Sequence, residues 1–128
     1  MDQELTLKLK EYHKALSRLR ESLIIKRPSA LTRDSAIKRF EFCFEICWKT
    51  IKLFLRQKYG HDAFSPKEAF RGLVKNQMIT AEEVETLLQM TDNRNEIIHT
   101  YNEDFAKEIF KKIPKYYSLM DKIHQQIK

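Results

Sequence analysis

The spacing of apolar residues near the N-terminus does most to narrow the possible folds. Leu5, Leu9, Tyr12, Leu16, Leu19 and Leu23 recur at intervals of 4, 3, 4, 3 and 4. At ~3.6 residues per turn, that series draws one narrow stripe along a helix, the pattern of a bundle member. Only 2 glycines and 3 prolines occur in 128 residues, too few for the frequent turns of a sandwich or barrel. Charged residues make up 33% and hydrophobic ones 42%, which suits amphipathic helices. The expected fold is all-α: residues 1–128 form a single domain, an up-and-down four-helix bundle with an additional short helix.

The remaining helices can be placed from their punctuation. The first should run from Asp2 to Lys26, stopped by Arg27-Pro28, because the residue before proline avoids the α region. The second should run from Asp34 to Tyr59 with Gly60 as its C-cap. Its main face holds Phe40, Cys43, Phe44, Cys47, Trp48 and Ile51, while Glu41, Glu45 and Lys49 fall on the wet face. A second apolar ridge, Phe42, Ile46 and Leu53, lies off the main face. A loop or helix, a second copy of the chain or another protein could cover it equally well, so it is a candidate interface. Ser65-Pro66-Lys67-Glu68 and Thr80-Ala81-Glu82-Glu83 open a short and a longer helix. The longer one carries Val84, Leu87, Leu88, Thr91 and Ile98 inward and ends near His99. Asn102 opens the last helix, in which Pro114 predicts a kink or a split.

Several function classes drop out. No apolar run approaches the ~18 residues of a membrane span, and Met1-Asp2-Gln3-Glu4 lacks a signal-peptide core. A cytoplasmic protein without a membrane partner is expected. Cys43 and Cys47, one helical turn apart, do not form a zinc motif and read as buried reduced thiols. No metal or other cofactor is expected. The net charge of +6 permits RNA as a partner. Acids nevertheless outnumber bases over residues 65–101, and no basic arm is present, so the lysines read as solvated helix faces. His13, His61 and His124 read as solvated or turn residues. Trp48, Phe44 and Phe40 read as core rather than as a base-stacking platform, which would need exposure.

Chemistry is concentrated in Asp92-Asn93-Arg94-Asn95-Glu96-Ile97-Ile98-His99-Thr100-Tyr101. Asp92, Asn95 and His99 share one helix face at i, i+3 and i+7, whereas Arg94 is rotated from His99 by roughly 140°. A guanidinium offers a planar fork of donors to phosphate, and an imidazole can move a proton near neutrality. The pair suits attack of an RNA 2′-hydroxyl on its own phosphate, with Asn95 orienting an oxygen or the imidazole. One histidine does not readily serve as both base and acid, so a homodimer would help. In the plainer alternative, Arg94 pairs with Asp92 or Glu96 and His99 satisfies carbonyls at its own helix end.

Arg94-Asn95, three further residues, then His99-Thr100-Tyr101 resembles the motif of HEPN domains. The stretch from Arg39 through Trp48 to Lys52 is similar to the long aromatic helix of the nucleotidyltransferase substrate-binding protein family. Ser65-Pro66-Lys67-Glu68 and Thr91-Asp92-Asn93-Arg94-Asn95 resemble that family's later segments. The likeness spans about residues 35–120. It implies a small helical subunit, usually dimeric, paired with a separate minimal nucleotidyltransferase. It further implies a metal-independent ribonuclease with Arg94, Asn95 and His99 catalytic and Tyr101 the hydroxyl that the partner adenylylates; Asp92, on the face of Asn95 and His99, is a supporting candidate. A non-enzymatic subunit that docks the nucleotidyltransferase and presents its substrate is the other implied role.

Overall fold

The computed structural model describes residues 2–128. Five helices follow in order: α1 (Gln3–Leu23), α2 (Ala30–Tyr59), α3 (Pro66–Lys75), α4 (Ala81–His99) and α5 (Glu103–Ile127). Contacts across the bundle fix the directions. Tyr12 of α1 meets Cys47 of α2 and Met120 of α5, while Arg39 of α2 donates to the Arg18 carbonyl of α1 at 2.7 Å. Thus α1 runs antiparallel to both α2 and α5. Asn93 meets Tyr116, and Glu83 meets Lys122, so α4 runs antiparallel to α5. The result is an up-down-up-down bundle with the short α3 inserted between α2 and α4. No helix among the described residues is long and apolar enough to cross a membrane.

Two boundaries differ from the sequence expectation. α2 begins at Ala30, four residues before Asp34, because Ser29 and Thr32 form a reciprocal capping box. Thr32 stands where an acid would have made the signal conspicuous. α1 stops at Leu23 rather than Lys26: the apolar seam is exhausted there, and Ile24 is 62% exposed. α5 runs through Pro114 without a break, so of the expected kink or split the split does not occur. Pro114 lies on the exposed face, so its ring meets solvent rather than the core. Ile113 and Tyr116, on either side of it, are fully buried and hold the two halves to the core.

The core runs from the α1 seam through the aromatic face of α2 to α5. Phe40 stacks on Tyr116 at 5.8 Å between ring centres, and Phe44 meets Phe70 edge-on at 6.1 Å. The Tyr12 hydroxyl donates to the Met120 carbonyl at 2.5 Å, which satisfies a polar atom in a fully buried place. Cys43 and Cys47 are free, buried thiols. Burial pushes Cys47 up to about 12, so it is no nucleophile at neutral pH. His124, read from sequence as a residue of a polar stretch, is buried instead. Its Nε2 lies 3.0 Å from the Leu9 carbonyl, and burial lowers its pKa.

Past α3 the chain turns at Gln77, whose φ of 60° is left-handed. The Met78 N–H reaches back to the Leu73 carbonyl at 2.9 Å, and the Gln77 N–H to Val74 at 3.0 Å, closing the helix end. A left-handed side chain crowds its own backbone by about 1–2 kcal/mol, and glycine returns part of that gain as unfolded-state entropy. Gln77→Gly should therefore stabilise the fold by roughly 0.5–1 kcal/mol. Urea unfolding will read this as a higher midpoint, and a lower midpoint would refute the assignment.

Candidate functional site at the end of α4

Thr80 and Glu83 cap α4 reciprocally, and Val84, Leu87, Met90 and Thr91 bury its inner face. From Asp92 onward the residues are mostly polar, and helix phase decides what each touches. Asn93 continues the buried face at 7% exposure. Its Oδ1 accepts from the Tyr116 hydroxyl at 2.5 Å, and its Nδ2 donates to Glu96 at 3.3 Å. Ile97, not Ile98, closes this face: Ile98 is 65% exposed, which corrects the inward placement made from sequence.

Arg94 lies one residue round the helix from Asn93, half-buried against α2. Its guanidinium carbon stands 4.6 Å from the centre of the Phe44 ring, a cation–π contact in a dry setting. Nη1 pairs with Glu45 Oε1 at 3.3 Å. The Arg94 Nε is buried without a hydrogen-bond partner among the described residues. The local ion pair with Asp92 or Glu96 is not the one formed. Asp92 pairs with Lys67 of α3 at 2.7 Å, and Glu96 accepts from Asn93.

Glu45 therefore leaves the wet face to which its position assigned it. It is half-buried, and the same Oε1 that meets Arg94 accepts from Trp48 Nε1 at 3.3 Å, while Oε2 meets Lys49 at 3.2 Å. Sequence reasoning caught only the Lys49 pair; the Arg94 link joins residues far apart in the chain.

Asp92, Asn95 and His99 are exposed together on the outer face, as their spacing predicted. His99 is the last residue of α4. The Glu96 carbonyl at that helix end is taken by the Thr100 N–H at 2.8 Å. Tyr101 follows, 47% exposed, with its hydroxyl donating to Asp34 Oδ1 of α2 at 2.5 Å. Burial first, and the Asp34 carboxylate second, push the phenol up to about 12. Beside it, Arg33 reaches Glu103 at 3.8 Å and keeps a buried Nε without a partner among the described residues. Neither Asp34 nor Arg33 carried a functional signal in the sequence: Asp34 read as a helix start, and Arg33 fell just before it.

The proposed interface ridge is divided. Phe42 is 62% exposed, while Ile46 and Leu53 pack partly against the core. Phe42 and Ile46 line a groove of about 860 Å³ between α1 and α2, rimmed by Lys14, Arg18, Lys38 and Arg39. Leu53 is not part of it. Glu45 lines this groove and also holds Arg94, so the groove and the Arg94 site adjoin.

The geometry fits a known family. Residues 7–128 match the family described as "Nucleotidyltransferase substrate binding protein like". The chain belongs to that family. A crystal structure of a protein from Thermus thermophilus is 38% identical, with a TM-score of 0.87 over 91% of this chain and 98% of that one. The fold is also that of HEPN toxins. A Shewanella oneidensis HEPN toxin, solved tri-AMPylated in complex with an MNT antitoxin, matches at TM-score 0.69 and 21% identity over 96% of this chain and 98% of that one. A MntA–HpeT toxin–antitoxin structure matches at TM-score 0.71 and 20% identity over 95% and 98%. No curated protein sequence matches this family member.

Proposed function

We propose that this family member is the HEPN-type subunit of a two-protein pair with a minimal nucleotidyltransferase, and that it is a metal-independent endoribonuclease acting through Arg94 and His99. The observation that carries the reading is an exposed imidazole at the last residue of α4, with a guanidinium five residues earlier on the same helix whose buried Nε has no partner among the described residues. His99 takes the proton from an RNA 2′-hydroxyl as that oxygen bonds to the adjacent phosphorus. Arg94 stabilises the charge gathering on the phosphate oxygens. Asn95, exposed beside His99, orients an oxygen, and Asp92, held by Lys67, supports the same face. The 5′-oxygen leaves with a proton from the histidine of a second copy, so the working form is a homodimer. The products are a 2′,3′-cyclic phosphate and a 5′-hydroxyl.

Tyr101 is the regulatory point of this reading. Its oxygen attacks the α-phosphorus of a nucleoside triphosphate bound by the partner enzyme, pyrophosphate leaves, and the phenol proton passes to Asp34, which already accepts it. The added nucleotide places bulk and negative charge two residues from His99 and shuts out RNA. The experiment is incubation of the isolated protein with single-stranded RNA in a chelator. New ends are expected; an inert wild-type protein would remove the ribonuclease part.

Phe42 favours a second reading, a subunit that docks its partner without cutting RNA. A large exposed aromatic beside a groove is an association surface wanting a cover. Phe42→Glu should weaken association, with itself or with the nucleotidyltransferase, by on the order of tenfold or more, as expected of an interface anchor, while helicity is unchanged. Sedimentation and circular dichroism check this together, and unaltered association would remove Phe42 from the interface.

A further inference from the structure

Beyond Glu45, away from His99, lies a cluster for which the cleavage chemistry has no use. Trp48 is half-buried, turning part of its ring to the surface. Phe64, in the loop before α3, is 76% exposed, a large apolar ring that the fold leaves in water. Lys52 is near both: its Nζ lies 6.0 Å from the centre of the Trp48 ring and 6.0 Å from that of Phe64. Two aromatic rings therefore lie within reach of one exposed cation. Phe64 is held in place from behind, because its backbone N–H donates to Glu68 at 2.6 Å. The cluster is continuous with the Arg94 site, since Arg94 and Trp48 share one carboxylate oxygen of Glu45.

We propose that Trp48, Phe64 and Lys52 form a subsite for an unpaired base of single-stranded RNA, the nucleotide next to the phosphate held by Arg94. This deepens the ribonuclease reading and rests on it. Every base has a π-face, so a ring pair binds bases with little regard to sequence. Lys52 swings from the rings to the flanking phosphate, exchanging a cation–π contact for a charge-assisted one. A paired base is already stacked and cannot enter, so the subsite selects single strands over duplex. Of the carboxylates at this end, Glu45, Asp62 and Asp92 are each paired with a cation and Glu68 accepts from the Phe64 backbone, while Lys52 has no ion pair among the described residues.

Trp48 is the only tryptophan in the chain, so its fluorescence reports on the subsite directly. The experiment uses the full-length His99→Ala protein, which leaves RNA intact, titrated with a labelled single-stranded oligonucleotide, with the matching duplex and with adenosine monophosphate. Affinity is followed by anisotropy and stacking by Trp48 emission. The single strand should quench Trp48 in step with binding, the duplex should not, and the mononucleotide should quench only at much higher concentration. Phe64→Ala, at an exposed site where folding is not at stake, should weaken single-strand binding about tenfold, and Lys52→Glu should weaken it further. Binding without quenching and indifferent to Phe64, or no RNA binding at all, overturns the subsite. Emission changes produced only by a protein partner would make the surface a protein interface and overturn it too. The two proposals fail separately. Cleavage that depends on His99 without quenching removes only the subsite, and quenching by a chain that never cleaves removes only the ribonuclease.

Discussion

Replacing His99 with alanine should lower RNA cleavage by roughly 10²–10⁴-fold, the contribution expected of a general acid–base group. The fold should be untouched, because His99 is exposed at the last residue of α4 and the helix end is closed by the Thr100 backbone. Circular dichroism and the urea midpoint should match wild type, which separates a chemical loss from a structural one. Binding of RNA should survive, since Arg94 and the lysines remain. A variant as active as wild type would show that the imidazole serves something other than proton transfer.

The second large effect is on stability. Phe44 is fully buried, packs edge-on against Phe70 and forms the floor on which the Arg94 guanidinium rests. Phe44→Ala should destabilise the protein by about 3–5 kcal/mol, from lost burial plus the cavity that the helices cannot close. That is a large share of the ~5–15 kcal/mol typical of a domain. It should also lower activity below what the unfolded fraction explains, because Arg94 loses the ring that holds its plane. Phe44→Leu keeps most of the volume and should recover most of the stability but not the cation–π contact. Denaturant unfolding checks the first expectation. A Phe44→Ala loss under about 1 kcal/mol would mean that the helices repack around the missing ring instead of leaving a cavity.

What was legible in the sequence was whatever repeats along a helix. The Leu5 to Leu23 seam, the Ser65 and Thr80 caps and Gly60 marked helix ends and one face, and helix phase put Asp92, Asn95 and His99 on one side. What periodicity does not encode was missed. The Ser29–Thr32 cap has no acid to advertise it. Pro114 is tolerated because its face is wet, and that depends on which neighbours α5 has. Glu45 read as a wet-face position and Asp34 as a helix start; their meeting with Arg94 and Tyr101 exists only once α4 is folded back against α2. Phe64 carried no sequence signal, and its exposure near Lys52 appears only in the fold.

The central claim is that this chain breaks RNA by turning a strand's own 2′-hydroxyl against the next phosphate. The most direct measurement is end-group determination after incubation in chelator, comparing an RNA strand with the same strand carrying 2′-deoxy sugars throughout. The account predicts 2′,3′-cyclic phosphate and 5′-hydroxyl ends from the RNA and no scission of the deoxy strand. Scission of both strands, or 5′-phosphate ends from the RNA, would contradict it.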